Sequence, residues 1–238
     1  MISVVLATFN GELYLKQQLD SILSQLSQED ELIISDDHST DKTISIINTY
    51  QDPRIHLFIN DPKNHGYSGN FENALTHTKG SIIFMSDQDD VWFAHKVEKM
   101  SQALAICDIA ISDATVTGAA LEPLYLSHFE HAHVKKGLMI NFAKTRYIGA
   151  CMAFNRLLLE KALPFPSQKK HCPHDYWITL IGEAFFKVQL IDEPLIYYRR
   201  HSQNASSGGI TTSSDSLWLK IYRRLYCGAH LIFRSMRP

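Results

Sequence analysis

The sequence predicts an α/β protein with a Rossmann-like, mostly parallel central sheet flanked by helices. Two observations support this fold class. Over residues 1–112, short apolar runs alternate with segments in which apolar residues recur every three or four positions, which is typical of βαβ units. The chain of 238 residues is also 45% hydrophobic and 20% charged, which is the composition of a globular protein with one sizeable core.

The first half of the chain contains the clearest elements. Each expected strand is a short apolar run, and these runs cover residues 2–8, 31–35, 55–60, 81–86 and 109–112. Each expected helix places its apolar residues on one face, and these segments lie near residues 13–26, 44–47, 71–75 and 94–106. In an open α/β sheet, ligands bind outside the carboxyl ends of the strands, so polar residues that follow strands are the first candidates for a site.

The second half of the chain has a weaker pattern. A long polar and aromatic stretch extends to about residue 146, and a strand at 150–154 and a helix at 156–163 are expected after it. A run rich in Ser, Gly and Thr then predicts a flexible linker or lid. The chain therefore divides into a body at 1–204, a linker or lid at 205–216 and a terminal segment at 217–238.

The terminal segment differs from the body in charge, because several cations oppose Asp215 alone while the whole chain has a net charge of -2. Its apolar residues recur at spacings of four and three and its cations fall opposite, which predicts a basic amphipathic helix. The apolar positions are Trp218, Tyr222, Leu225, Ala229, Ile232 and Met236, and the cations are Lys220, Arg223, Arg224, Arg234 and Arg237. Such a helix lies on an anionic membrane, or its stripe packs onto the body or onto a second subunit, and the pattern leaves these alternatives open.

Cysteines and apolar runs indicate the compartment. The four cysteines lie far apart without a C-x-x-C pair, which predicts reduced thiols rather than a zinc site or disulfides. We expect no signal peptide before the first strand and no membrane span, because no apolar run approaches 18 residues. We therefore expect a cytoplasmic protein, peripheral on the inner face of the membrane if the terminal helix binds lipid. The net charge gives no indication of a nucleic-acid partner.

Acidic residues follow two of the expected strands closely. Asp36 and Asp37 come after the second strand, and Asp87, Asp89 and Asp90 come after the fourth. Carboxylates gathered at one sheet edge repel each other unless a cation lies among them, and Mg²⁺ or Mn²⁺ prefers oxygen ligands that it shares with phosphates. This pattern predicts a site for a nucleotide diphosphate. The alternative that these acids only cap the helices that follow also stays open.

Four motifs in order resemble those of glycosyltransferase family 2. They are Ala-Thr-Phe-Asn-Gly-Glu at 7–12, Ser-Asp-Asp-His-Ser-Thr-Asp at 35–41, Ser-Asp-Gln-Asp-Asp-Val-Trp at 86–92 and Pro-His-Asp-Tyr-Trp at 173–177. The last two motifs, together with Tyr-Arg-Arg-His at 198–201, are similar to the rhamnosyltransferase-like branch. The resemblance covers roughly residues 1–204. It implies a nucleotide-sugar-binding half at 1–112 and an acceptor-binding half at 113–204.

The resemblance implies a glycosyltransferase A-type fold and a role for each motif. Asp37 would bind the base, Asp87 would face the ribose, and the rest of the nucleoside pocket would be lined by Thr8, Asn10 and Glu12. Asp89, the second acid of the D-x-D motif, would ligate the metal, and His201 would be a further metal or phosphate contact. Asp175 would be the catalytic base. For Asp175 a simple helix cap is the alternative, and for His201 an ordinary loop histidine.

The implied reaction is the inverting, metal-dependent transfer of one sugar to a saccharide or lipid-linked acceptor in bacterial surface polysaccharide synthesis. The implied donor is a UDP- or dTDP-linked sugar, and the implied cofactor is Mn²⁺ or Mg²⁺. The Q-x-x-R-W signature of processive synthases is absent, which predicts single-sugar addition. A catalytically silent nucleotide-sugar-binding subunit of a glycosylation complex is the alternative. A nucleotidyltransferase is disfavoured, because no Gly-rich loop with Lys or Arg follows the first strand.

Overall fold

A computed structural model describes residues 1–201, 204 and 216–236. Within these residues the strands β1 to β9 are Ile2–Thr8, Glu31–Asp36, Ile55–Ile59, Ile82–Asp87, Val91–Trp92, Ile109–Thr117, Pro123–Tyr125, Met152–Asn155 and Val188–Arg199. The α-helices α1 to α9 are Leu15–Leu23, Thr43–Asn48, Tyr67–Thr76, Lys96–Leu104, His128–Ala132, Leu138–Ala143, Arg156–Ala162, His174–Phe185 and Leu217–Ser235. The predicted α/β class is confirmed.

The strands form one mixed sheet in the order β3-β2-β1-β4-β8-β6-β9-β5, with β7 paired to β6. The first four strands are parallel, and Val5 of β1 lies between Ile33 of β2 and Met85 of β4. Strand β8 is antiparallel to both of its neighbours, whereas β6 and β9 pair in parallel. Because β1, β2 and β4 run in one direction, the loops that follow them meet at one edge of the sheet.

The core lies on both faces of this sheet. Every residue of β2 and of β6 is buried, so neither strand has the alternation of buried and exposed positions that is typical of a sheet with one solvated face. Polar side chains at the strand ends are satisfied locally. Glu31, for example, accepts hydrogen bonds from the hydroxyl of Ser3 and from the backbone of Lys79. A buried carboxylate at this position is tolerated because it is hydrogen-bonded.

The second half departs from the sequence expectations at three points. Strand β6 continues to Thr117 rather than ending at residue 112, and residues 149–151 form a 3₁₀ turn before β8 instead of belonging to a strand. The third point is that Asp192 and Glu193 precede Pro194 and yet do not form a turn at the end of a strand. Both acids lie inside β9, because the register with β6 shifts between Ile191 and Pro194, and a proline is accommodated at such a bulge.

Helix α8 is the most buried helix of the second half. The side chain of Trp177 is fully buried, and its indole N–H donates to the carbonyl of Ala162 on α7 over 2.9 Å. The first turn of α8 carries Asp175 at the edge of the sheet. The packing of Trp177 therefore fixes the helix on which the expected base lies.

Helix α9 covers α8 with its basic side and not with its apolar stripe. Arg234 is buried and donates to the carbonyl of Leu163 over 2.6 Å, and Arg224 donates to the carbonyl of Ala143 over 3.1 Å. Trp218 and Leu225 of the apolar stripe are 81% and 69% exposed. The alternative in which the stripe packs onto the body is therefore wrong.

Part of the terminal region lies outside the described residues. This applies to the expected linker or lid except for its last residue, Ser216, and to Arg237. Among the helices that the structure describes, none is long and apolar enough to cross a membrane.

We predict that Trp177→Ala lowers the free energy of unfolding by about 3–5 kcal/mol, because it leaves a large cavity and an unpaired carbonyl on α7. Trp218→Ala is the matched control, and its side chain is so exposed that a change within about 0.5 kcal/mol is expected. Urea unfolding followed by circular dichroism measures both. An unchanged unfolding midpoint for Trp177→Ala would contradict the packing of α8 described above.

Candidate active site

A cleft of about 1050 Å³ opens at the carboxyl ends of β1, β2 and β4. Its lining also includes residues 144–149, the first turn of α8 and two arginines of α9. All the residues to which the resemblance assigns a role line this one cleft, namely Thr8, Asn10, Glu12, Asp37, Asp87, Asp89, Asp175 and His201. The sheet topology brings them together although they are spread over most of the chain.

The loop after β1 is fastened to the loop after β2. The buried hydroxyl of Thr8 donates to Asp36 over 2.8 Å, so it points into the protein. Asn10 has a positive φ of 48°, and its side-chain oxygen accepts from the backbone of Thr40 over 2.8 Å. Glu12 accepts from the backbone that precedes α2. Thr8 and Asn10 thus shape the wall of the cleft through the backbone rather than by offering unused side-chain groups.

Asp37 is buried at the base of the cleft and already has three partners. Its carboxylate accepts from the Asn60 amide and from the Gly66 backbone N–H, and it lies 2.8 Å from Nδ1 of His65. A carboxylate offers about four lone-pair sites, which leaves room for one further donor. The rings of Phe9 and His65 meet edge to face at 5.9 Å, and both line the cleft beside Asp37. This corner therefore combines one free acceptor position with exposed ring faces.

The acidic loop between β4 and β5 holds like charges close together. Burial, and then the charges of Asp89 and Asp175, raise the pKa of Asp87 to about 8. Burial and the charges of Asp89 and Asp87 likewise raise the pKa of Asp90 well above its usual range. One oxygen of Asp90 is buried without a hydrogen-bond partner in the described part of the chain. Each shift favours the neutral carboxyl, so a cation placed beside Asp87 and Asp89 would favour the ionised form.

Asp89 faces the residue that follows β9. Its Oδ2 atom lies 2.8 Å from Nε2 of His201 and 2.8 Å from the amide nitrogen of Asn204. The side chains of Asp89 and His201 are only 14% and 11% exposed, and the ring of Tyr14 lies 4.9 Å from the imidazole. The imidazole of His201 is therefore largely buried and in contact with Asp89 and Tyr14.

Arg199 supports the acidic loop, and the sequence analysis assigned it no role. Its guanidinium donates to the carbonyls of Asp89 and Ala119 and to the side chain of Gln17, while its backbone N–H donates to Asp90. The group is 3% exposed and lies 4.5 Å from the centre of the Tyr14 ring. One side chain thus joins α1, the acidic loop, the segment after β6 and the end of β9. The one indication of Arg199 in the sequence was its place in the Tyr-Arg-Arg-His segment at 198–201, two residues before His201.

Asp175 lines the cleft from the first turn of α8. Its Oδ1 atom accepts from the backbone N–H of Tyr176 over 2.7 Å, and the N-cap position of the helix is Pro173, so Asp175 is not the N-cap. A Cβ atom added to Gly149 would lie 3.3 Å from the Cβ atom of Asp175. A glycine at position 149 therefore lets the turn before β8 approach Asp175 closely. The charge of Asp175 also contributes to the raised pKa of Asp87.

Several other residues in the cleft were not found from the sequence. Gln88 pairs its amide with both backbone groups of Phe9, at 2.8 and 2.9 Å, and its signal was its place inside the acidic motif. Lys144 and Arg146 come from the stretch without a pattern, and no local signal marked them. Arg223 and Arg224 were assigned to the tail, since only the packing of α9 brings them to the cleft.

The fold matches glycosyltransferases of the A type. S. aureus TarS 1-349 in complex with UDP-GlcNAc superimposes with a TM-score of 0.69 and 17% identity, over 90% of this chain and 62% of that chain. The mannosyltransferase PcManGT from Pyrobaculum calidifontis, in complex with GDP-Man and Mn²⁺, gives a TM-score of 0.60 and 20% identity, over 100% of this chain and 65% of that one. This chain thus spans less than two thirds of either structure.

The family follows from the sequence comparison. The family model described as "Glycosyl transferase family 2" matches residues 3–163, and the chain therefore belongs to glycosyltransferase family 2. A relative from Escherichia coli, "UDP-Glc:alpha-D-GlcNAc-diphosphoundecaprenol beta-1,3-glucosyltransferase WfaP", is 25% identical over 95% of this chain and 90% of its own length. These likenesses make the chain a glycosyltransferase, an enzyme that transfers a sugar.

We predict that Arg199→Lys lowers the free energy of unfolding by about 2–4 kcal/mol, because an ammonium group cannot reach three separated acceptors. Gln17→Ala removes only one of those acceptors, so a smaller loss is expected. Chemical unfolding measures both variants. Equal stability of Arg199→Lys and the unchanged chain would show that the acidic loop is held by other contacts.

Proposed function

We propose that the protein catalyses the inverting, metal-dependent transfer of a single sugar from a nucleotide-diphosphate sugar to a saccharide or lipid-linked acceptor. The observation that carries the proposal is a single cleft that is lined by Asp87 and Asp89 of the acidic loop and by Asp175 of α8. The relative WfaP supports a lipid-linked acceptor, because its name describes a sugar linked to diphosphoundecaprenol as the acceptor. Assignment to bacterial surface polysaccharide synthesis and to the rhamnosyltransferase-like branch stays a prediction.

Among the described residues no group of three His, Cys, Asp or Glu side chains could hold a metal ion alone, so a divalent cation in the cleft would need phosphate oxygens as further ligands. Asp89 and His201 offer a carboxylate oxygen and an imidazole nitrogen that converge within 2.8 Å, and both atom types are ligands for Mn²⁺. Mg²⁺ is the alternative, and it would rely on the carboxylate and on phosphate oxygens. When bound, the cation supplies positive charge to a departing diphosphate. Burial first, and then the neighbouring carboxylates, raise the pKa of Asp87 and of Asp90, and a bound cation would favour their ionised forms.

The nucleoside would bind between the loops after β1 and β2. The remaining acceptor position of Asp37 can take one N–H from a base, and the ring of Phe9 offers a face for stacking. Glu12 and Asp87 line the same side of the cleft and are the candidates for contacts with the ribose. UDP- and dTDP-linked donors both fit this description.

Asp175 is the residue proposed to act as the general base. An acceptor hydroxyl is a poor nucleophile at neutral pH, so a carboxylate must take its proton as the new bond forms. Asp175 and the acidic loop line the same cleft from different elements, and we place the acceptor hydroxyl beside Asp175 so that it would attack from the side opposite the leaving diphosphate. Attack from that side inverts the anomeric carbon in one displacement.

We predict that Asp89→Ala abolishes Mn²⁺-dependent binding of UDP or dTDP and abolishes transfer, because a charged ligand and the partner of His201 are both lost. Glu29→Ala, which removes an exposed acid outside the cleft, should behave like the unchanged chain. Calorimetric titration of the nucleotide with and without Mn²⁺ measures the effect. Full activity of Asp89→Ala, or of the unchanged enzyme in excess chelator, would refute metal dependence.

We predict that Asp175→Asn retains donor binding while it lowers the transfer rate by about 10² to 10⁴, the range expected for the loss of a general base. Asp192→Asn is the matched control, since Asp192 is exposed on β9 and lies outside the cleft. Turnover is measured beside nucleotide-sugar binding. Near-normal turnover of Asp175→Asn would refute the assignment of Asp175 as the general base. Loss of donor binding would indicate that Asp175 contacts the donor instead.

A peripheral position on the inner face of the cytoplasmic membrane is part of this proposal. The outward face of α9 consists largely of exposed apolar residues, such as Trp218, Leu225, Ile232 and Met236. The same helix lines the cleft, so a bilayer against its outer face would bring a lipid-linked acceptor to the active site. The occupant that we propose for this face is therefore lipid, and a second copy of the chain is the competing occupant.

We predict that the variant Trp218→Ser/Leu225→Ser/Ile232→Ser binds vesicles at least tenfold more weakly than the unchanged protein, because three exposed apolar side chains are removed from the lipid interface. Sedimentation with vesicles of zwitterionic lipid, with and without added anionic lipid, measures this. Leu13→Ser is the control, because it alters an exposed leucine outside α9, and it should leave the vesicle affinity unchanged. Tyr50→Ser is less suitable, because the hydroxyl of Tyr50 donates to Asp20. Failure of the unchanged protein to bind vesicles, with light scattering that shows a dimer, would assign the face to a second copy.

The alternative function is a catalytically silent subunit that binds nucleotide sugar. It predicts donor binding without transfer or hydrolysis of the donor. Slow release of free sugar from the donor in the unchanged protein, lost in Asp89→Ala, would contradict it.

A further inference from the structure

The charged side chains that line the cleft are sorted by sign. The loops after β1, β2 and β4 contribute most of its acids, and we call this part of the lining the acidic wall. We call the lining from residues 144–149, the first turn of α8 and α9 the basic wall, and Asp175 is its one acid among the described residues. Every lysine and arginine that lines the cleft within the described ranges belongs to the basic wall, namely Lys144, Arg146, Arg223 and Arg224. The cleft thus has an acidic wall and a basic wall.

The basic wall is built from two segments that are fastened together. Arg224 of α9 donates to the carbonyl of Ala143, immediately before Lys144, and its guanidinium lies 5.6 Å from the centre of the Tyr176 ring. Helix α9 therefore contributes directly to the wall beside Asp175. Burial and the charge of Asp175 raise the pKa of Tyr67, whereas the charge of Arg223 lowers it. Tyr67 and Arg223 both line the cleft.

The donor diphosphate does not account for this basic wall. In the proposed function its charge is balanced by a cation on the acidic wall, beside Asp89 and His201. Four further cations across the cleft are more positive charge than a neutral acceptor sugar needs. A second anion is the chemistry that such a wall recognises, and Lys and Arg together suit a phosphate or diphosphate group.

We infer that Lys144, Arg146, Arg223 and Arg224 form a subsite for the diphosphate of a lipid-linked acceptor. This inference rests on the proposed function, and it adds the chemical class of the acceptor. The name of the relative WfaP is consistent with this inference, because it describes an acceptor sugar that carries a diphosphate. With the diphosphate on the basic wall, the acceptor sugar lies next to Asp175, and its lipid is directed toward the apolar outer face of α9.

The arrangement gives the enzyme a reason to select charged acceptors. The two diphosphates of the reaction would bind to opposite walls, one through a cation and one through side chains. Each contact between an ionised phosphate and Lys or Arg is a charge-assisted hydrogen bond, so the loss of two should weaken acceptor binding at least tenfold. The donor should be unaffected, because its site contains none of these four residues.

The first test is binding of geranyl diphosphate, a short lipid diphosphate, to the full chain saturated with UDP and Mn²⁺. Binding is expected for the unchanged protein, and Lys144→Gln/Arg146→Gln should weaken it at least tenfold without changing UDP affinity. Lys135→Gln is the matched control, because Lys135 is exposed in the same region and lies outside the cleft. Equal affinity in the double variant and the unchanged protein would overturn the inference, as would displacement of geranyl diphosphate by UDP.

Inorganic pyrophosphate and UDP distinguish the sources of the anion. Geranyl diphosphate that binds more tightly than pyrophosphate supports a lipid-linked acceptor, whereas tighter binding of a second UDP would overturn it in favour of a nucleotide.

The second test compares transfer to one saccharide in two forms, linked to a lipid diphosphate or to an uncharged alkyl chain. The double variant should raise KM at least tenfold for the diphosphate form alone. An equal rise for both acceptors would overturn the subsite. Absence of transfer by the unchanged protein, with geranyl diphosphate binding intact and sensitive to the double variant, would refute the proposed function and still support the subsite.

Discussion

The acidic loop between β4 and β5 is the constraint on which the rest of the site depends. Three aspartates within four residues repel each other, and Asp90 is buried completely. Arg199 holds the loop by donating to the carbonyl of Asp89 and by presenting its own backbone N–H to Asp90. Arg199 therefore fixes the loop through the backbone of Asp89 and the buried side chain of Asp90. The side chains of Asp87 and Asp89 remain in the lining of the cleft.

The parts predictable from sequence are those whose signal is local. Strands β1, β2 and β4 were placed almost to the residue, because their apolar runs are short, continuous and bounded by polar residues. The site residues of the first half followed from the rule that loops at the carboxyl ends of parallel strands share one edge. The roles assigned to Asp89 and Asp175 came from resemblance, and geometry adds that both line one cleft.

The parts that sequence could not supply depend on pairing between distant segments. Pro194 ordinarily ends a strand, and only the register of β9 against β6 creates the bulge that accommodates it. The small helices and strand between residues 118 and 143 have too few residues to show a period. Arg199 lay in a quoted motif, but its acceptors are on Gln17, Asp89 and Ala119, and no pattern along the chain indicates that these atoms converge.

The orientation of α9 shows why amphipathic periodicity alone is ambiguous. A helical pattern separates an apolar face from a basic one, but it does not say which face packs on the protein. Here the basic face packs inward, and its guanidinium groups find carbonyl partners: the buried Arg234 donates to Leu163, and the half-buried Arg224 donates to Ala143. The apolar face is left in contact with water, which is unfavourable for a patch of this kind unless something covers it. The inward arginines and the outward apolar face are thus two consequences of one packing choice, and that choice gives the cleft its basic wall.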